Sequence, residues 1–224
     1  MGCFDMSKGY DAGNQLEMQE AVRINKDLLG SGDAFSLTVQ EPLKPERVTE
    51  QYLKNGKSLV EKLNQQYPHW GFKDPRTCLT YNYWEKIIPE HRLVIVYRHP
   101  VQVINHYFKR RYGPKTVFKM SRALECWTVY NSLLLEIITK KQDAILLNFS
   151  QLMENKDGLL GLEKFIGLPV KDIRDPKSYR SRGTGNLYYP LALIHNKIAG
   201  KVSPLAVYRK LERYRAEQAF AETK

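Results

Sequence analysis

Apolar residues recur along this chain with two different periods, and the alternation between them predicts the elements. Leu16, Val22, Ile24, Leu28 and Leu29 predict a helix over 16–29, stopped by Gly30-Ser31-Gly32. Pro45 followed by Glu46 reads as the first turn of a second helix, over 45–66, with Val48, Tyr52, Leu59 and Leu63 on its inner stripe. Trp70, Gly71 and Phe72 form a short apolar run that predicts a brief strand with charged residues at its tip, Lys73 and Asp74 before Pro75. Helical spacing of Leu79, Tyr83, Trp84, Ile87 and Ile88 predicts a helix over 77–88.

Leu93-Val94-Ile95-Val96-Tyr97 is continuous and rich in branched residues, the pattern of a strand buried on both faces of a parallel sheet. It is followed by a predicted helix over 100–111 and a long one over 117–138, with Leu124, Trp127, Tyr130, Leu134 and Ile137 in its stripe. A second buried strand is expected over 144–149, then short helices over 150–153 and 159–166, the latter closed by Gly167. Strand, helix and strand at this spacing indicate βαβ units, hence an α/β fold with a parallel sheet flanked by helices. The length of 224 residues suits a single domain, 1–224, in which 205–221 forms a basic amphipathic helix at the C-terminal end.

Composition narrows the class. With 42% hydrophobic and 26% charged residues the chain is neither disordered nor low-complexity, and no apolar run approaches the roughly 18 residues that span a bilayer. The first residues, MGCFDMSKGYD, lack the basic and apolar stretches of a secretory leader. Cys3, Cys78 and Cys126 have neither disulfide-framework nor metal-ligand spacing, so a reducing, cytoplasmic setting is the expectation. His69, His91 and His195 have no companion ligands at metal spacing and read as surface or loop residues.

The net charge of +11 favours an anionic partner, and its distribution is uneven. Between 91 and 124 there are eight Lys and Arg and no acid; between 176 and 211 there are seven, again with no acid. If these two windows meet in space they make a concentrated positive surface. Tyr107, Phe108, Tyr112 and Phe118 alternate with the cations of the first window, a pattern that suits base stacking but fits helix packing better, so nucleic acid is not the leading partner.

In doubly wound sheets ligands bind beyond the carboxyl ends of the strands. Two predicted strand ends carry suitable residues: Lys73 with Asp74 and Arg76, and Arg98 with His99. Arg98 at the tip of a buried strand, leading into a helix that starts at Pro100, combines a planar multi-donor cation with free backbone N–H groups, a suitable phosphate clamp. The structural alternative is an ion pair between Arg98 and a carboxylate such as Asp74.

These residues resemble a known family. Gly71-Phe72-Lys73-Asp74-Pro75-Arg76, a helix, and Leu93 to Pro100 with Tyr97-Arg98-His99-Pro100 at its end are similar to the KDPR and V-R-[DH]-P segments of the bacterial sulfotransferase family. Lys8-Gly9-Tyr10, Asn25-Lys26-Asp27-Leu28-Leu29, the long helix with Trp127, Tyr130 and Asn131, Asn148-Phe149-Ser150-Gln151-Leu152 and Phe165-Ile166-Gly167-Leu168-Pro169 follow in the same order, so the resemblance covers residues 8 to 170. It implies a P-loop-NTPase-like α/β fold and transfer of a sulfuryl group from 3'-phosphoadenosine 5'-phosphosulfate, as co-substrate and without a metal, to a hydroxyl or amine of a small molecule, sugar or lipid.

By the same resemblance Arg98 holds the 3'-phosphate of the donor, while Lys73 contacts the transferring sulfuryl group and its bridging oxygen. His106 takes the position of a phosphate-binding serine eight residues after Arg98. Arg180 and Arg182, in Arg180-Ser181-Arg182-Gly183-Thr184-Gly185, are similar to the R-K-G-x-x-G loop that also meets the 3'-phosphate, and Asp11 is the candidate general base, ahead of Glu17. The family also opens with a strand and a P-R-S-G-T type loop that cradles the 5'-phosphosulfate. Residues 1–7 contain no such loop, and Gly30-Ser31-Gly32-Asp33 follows a helix and lacks a cation. The expectation is therefore an incomplete sheet, possessing a free edge beside 93–97 that the N-terminal segment, a loop near 37–39 or a second copy would cover, and no sulfuryl transfer from these residues alone. The rival expectation is a non-catalytic basic module for nucleic acid or another polyanion.

Overall fold

The computed structural model describes residues 17–32, 41–107, 115–172, 174 and 188–221. Their fold is α/β: mostly helices, with a small two-stranded parallel sheet. Packing divides the chain into two compact units, Met1–His91 and Arg92–Lys224.

The first unit contains helices α1 (Gln19–Leu29), α2 (Glu50–Gln66) and α3 (Thr77–Ile87). The predicted glycine stop is present: Gly30 caps α1 at φ 60°, a left-handed conformation that glycine adopts without a Cβ clash. Pro45–Arg47 forms a separate turn of 3-10 helix rather than the start of α2, which begins after the Thr49 cap. Ala21, Leu28, Leu59, Leu63, Tyr83, Trp84 and Ile87 form the core. Within it Asn25 is fully buried and satisfied. Its Oδ1 accepts from the Thr80 hydroxyl at 2.6 Å and from Trp84 Nε1 at 2.8 Å, and its Nδ2 donates to Asp74 Oδ2 at 3.0 Å and Thr77 Oγ1 at 3.2 Å.

The strand expected at 70–72 does not form; the backbone from 67 to 74 is irregular. Its aromatic residues serve the helical core instead. The Phe72 ring packs on Trp84 with centroids 4.5 Å apart, and Trp70 Nε1 donates to Asn64 Oδ1 at 2.8 Å. Asp74 then commits the chain to a helix start: its Oδ1 accepts from the Arg76 backbone N–H at 3.0 Å, and its carbonyl accepts from Thr77 N–H.

In the second unit β1 (Leu93–Tyr97) runs into α4 (Pro100–Tyr107), α5 (Thr116–Lys140) and β2 (Ala144–Asn148). The strands are parallel, in register from Leu93 opposite Ala144 to Tyr97 opposite Asn148. Then follow α6 (Phe149–Glu154), α7 (Asp157–Ile166), α8 (Tyr188–Ile198) and α9 (Pro204–Ala221). Ile95, Tyr97, Trp127, Ile138, Ala144, Leu146, Val207 and Leu211 make the core, so the basic C-terminal helix is docked against the sheet. α9 also closes the outer edge of β2. Gln218 Nε2 donates to the Ala144 carbonyl at 2.8 Å and its Oε1 accepts from Leu146 N–H at 3.1 Å, so one side-chain amide takes the place of a neighbouring strand.

β2 is buried on both faces as expected, but β1 is buried on one only: Val94 and Val96 are 43% and 44% exposed. α5 and α9 cover the Ile95 and Tyr97 side, and among the described residues β1 has β2 as its single strand partner. The two acid-free basic windows do meet, where α8 packs on α5. Ser121 of the first window lies 2.8 Å from Nδ1 of His195, donates to Asn196 Oδ1, and its carbonyl accepts from Asn196 Nδ2 at 3.2 Å.

Candidate functional site

Because β1 and β2 are parallel, their carboxyl ends lie side by side, and the residues just beyond them are brought together by the backbone alone. Beyond β1 come Arg98 and His99; beyond β2 come Phe149 and Ser150. The guanidinium carbon of Arg98 sits 3.4 Å from the centroid of the Phe149 ring, a cation–π contact across the two strand ends. Gln102 in the first turn of α4 donates to Ser150 Oγ at 2.9 Å, which joins the start of α4 to that of α6. Asn148 caps α6 through its Oδ1, which accepts from Ser150 N–H at 2.9 Å.

A polar cluster from α9 completes this edge. Glu212 Oε1 accepts from the Tyr97 hydroxyl at 2.5 Å and from Asn148 Nδ2 at 2.6 Å, while Glu212 Oε2 lies 3.1 Å from Arg215 Nη2. Arg215 Nε in turn donates to the Tyr97 oxygen at 3.2 Å. Burial works to raise the Glu212 pKa, but hydrogen bonds from Tyr97, Asn148, Arg215 and Tyr208 outweigh it and hold the carboxyl below its ordinary value. Burial, reinforced by the bond to Glu212, raises the Tyr97 phenol. Tyr208 packs edge-on against His99 with centroids 4.6 Å apart.

The start of α4 differs from the expectation of free N–H groups. Val101 N–H donates to His99 Nδ1 at 3.2 Å, and Gln102 and Val103 donate to the His99 carbonyl at 3.0 and 3.4 Å. Pro100 has no N–H, so the opening turn of the helix is already satisfied from His99. The cation at this edge is therefore a side chain, the guanidinium of Arg98, whose face rests on Phe149; a planar guanidinium is the group type that suits a bidentate oxyanion.

The remaining predicted residues fall as follows. His106 lies in the last turn of α4, eight residues after Arg98. Lys73 belongs to the first unit, in the irregular segment before α3, and its half-exposed ammonium pairs at 2.7 Å with the buried carboxylate of Glu17. Asp74 is engaged by Arg76, whose Nε lies 2.9 Å from its Oδ1, and by Asn25, so the first unit supplies its own partners to that carboxylate. Asp11, Arg180 and Arg182 lie outside the described residues. Among the described residues no three His, Cys, Asp or Glu are grouped to hold a metal ion, and Cys78 and Cys126 are buried free thiols.

The α9 contribution is the part that sequence reasoning missed. Tyr208, Glu212 and Arg215 are spaced by four and three residues, one helical face, and Glu212 is the first acid after the second acid-free window. That isolated carboxylate on a face with a tyrosine and an arginine was the available signal. No family model, curated protein or solved structure matches the chain.

Proposed function

We propose that this chain is a sulfotransferase-type protein, with a P-loop-NTPase-like fold, whose residues hold 3'-phosphoadenosine 5'-phosphosulfate as the sulfuryl donor for a hydroxyl or amine acceptor, although the loop that cradles the 5'-phosphosulfate is not found in this sequence. The observation that carries the reading is the place of Arg98. It follows the last residue of β1 on the carboxyl edge of a parallel strand pair and opens the turn into α4. A guanidinium there suits the dianionic 3'-phosphate of the donor.

In this reading the protein forms no bond to the sulfuryl group. Its residues orient the donor and balance the charge that grows on the bridging oxygen as the S–O bond breaks and the acceptor oxygen or nitrogen bonds to sulfur, losing its proton. By the resemblance alone Lys73 is the candidate for that oxygen; within the first unit it is paired with the Glu17 carboxylate. Asp11 is the candidate to take the acceptor proton, and His106, Arg180 and Arg182 are the candidates to share the 3'-phosphate.

The test is thermal stabilisation by 3',5'-adenosine bisphosphate against equal concentrations of inorganic sulfate. A ligand stabilises the native state according to its own affinity, so the bisphosphate is expected to raise Tm well beyond sulfate. The meeting of the two basic windows at α5 and α8 favours a second reading, a polyanion-binding module. Equal shifts by both ligands, together with steeply salt-dependent binding to DNA, would support that reading instead.

A further inference from the structure

Helix α8 has two apolar faces, and only one of them is used. Tyr189, Ala192 and Asn196 are buried on its inner side, where Ser121 of α5 hydrogen-bonds to Asn196. Leu191, Ile194 and Ile198 recur at three and four residues on another side and are exposed, Ile198 to 82%. Gly200, at φ 66°, follows the helix, and Val202, two residues further on, is 65% exposed. Phe118 of α5 is 55% exposed and stands beside it, its ring edge-on to His195 at 6.3 Å. Aliphatic groups left in water along most of a helix about 16 Å long lose the burial that would stabilise them.

On α8 and the first turns of α5 the exposed charged residues are cationic. Lys119 follows Phe118 in the chain, Lys197 flanks the stripe about 60° around the helix from Ile194, and both are exposed. α8 carries no carboxylate, and α5 carries none before Glu125, which Lys201 pairs at 2.7 Å. An apolar strip bordered by cations, with no unpaired acid on α8 or on α5 up to Glu125, complements a surface that is apolar below and anionic above. A bilayer containing acidic lipids has that arrangement at every point, without matching a particular shape.

We infer that the α8 stripe is a peripheral docking surface for anionic membranes, in which Ile194, Ile198, Val202 and Phe118 enter the headgroup region and Lys119 and Lys197 meet lipid phosphates or carboxylates. Among the described residues no helix is long and apolar enough to cross a membrane, so the contact is interfacial. The inference is independent of sulfuryl transfer. It also places a lipid surface beside a protein whose sequence points to an anionic partner.

Co-sedimentation with vesicles tests it. The full chain is expected to sediment with phosphatidylcholine vesicles containing about one-third phosphatidylserine, and about tenfold less with phosphatidylcholine alone. The pair Ile194→Glu and Ile198→Glu should reduce binding about tenfold or more with unchanged Tm, since both side chains lie outside the core. Lys119→Glu with Lys197→Glu should remove the preference for acidic lipid. Absence of wild-type binding to the acidic vesicles, equal binding to both vesicle types, or unchanged binding by the double isoleucine variant would each overturn the inference. So would a wild-type dimer in light scattering that ignores vesicles and dissociates on Ile198→Glu, because the occupant would then be a second copy.

Discussion

His99 Nδ1 accepts the backbone N–H of Val101 at 3.2 Å, and a ring nitrogen that accepts carries no proton, so this imidazole is held neutral with its proton on Nε2. Burial lowers its pKa below the ordinary 6.5, and the nearby Glu212 carboxylate only partly opposes that shift. As pH falls through 6.5 the unfolded chain binds this proton before the folded chain does. The His99 contribution is therefore complete above that pH and is lost as pH falls toward the folded pKa. Tm measured from about pH 7.5 to about pH 5 should fall, and His99→Asn, which can still cap α4 without titrating, should flatten the decline. An identical pH profile in the variant would remove His99 from this role.

Glu212 ties α9 to the ends of both strands through Tyr97 and Asn148. Glu212→Gln keeps the shape but removes the charge that Arg215 and the two donors meet, and should cost about 2 kcal/mol in urea unfolding. Arg213→Gln, an exposed neighbour on the same helix, should change stability by less than about 0.5 kcal/mol. Equal effects from the two variants would mean that the Glu212 cluster contributes no more than a surface charge.

Gly56 is buried inside α2, where a Cβ would collide with the Tyr83 hydroxyl and the Cδ1 of Ile87. The Tyr83 hydroxyl donates to the Tyr52 carbonyl at 2.7 Å, so it is not free to swing aside. Gly56→Ala should therefore destabilise by about 2 kcal/mol although alanine is the better helix former by about 1 kcal/mol. A rise in Tm would show that α2 and α3 can separate there at no cost.

Periodicity made the long elements of the second unit legible: β1, α5, β2 and α9 lie within a few residues of their expected places because their apolar patterns extend over whole strands and several turns. The run Trp70-Gly71-Phe72 misled, because three residues cannot distinguish a strand from two aromatic side chains filling a helical core, and the Asp74 turn settles the competition. The burial of β1 was overstated, since a continuous apolar strand has the same sequence whether one face or two are covered. α8 was not anticipated. Its stripe of Leu191, Ile194 and Ile198 is legible in retrospect, but the stripe faces outward while Tyr189, Ala192 and Asn196 face in. At the site, strand-end position alone picked out Arg98, whereas the α9 residues reach the same edge through tertiary docking, which local sequence does not encode.

The most direct test of the central claim is calorimetric titration of 3',5'-adenosine bisphosphate into the full chain and into Arg98→Ala. Loss of charge-assisted hydrogen bonds to a phosphate should cost the variant about 2 kcal/mol, roughly thirtyfold in Kd, with Arg98→Lys intermediate because an ammonium supplies the charge but not the bidentate fork. Undiminished binding in Arg98→Ala, or no heat of binding to the wild-type chain beyond that of sulfate, would contradict the assignment of this strand edge to a phosphonucleotide.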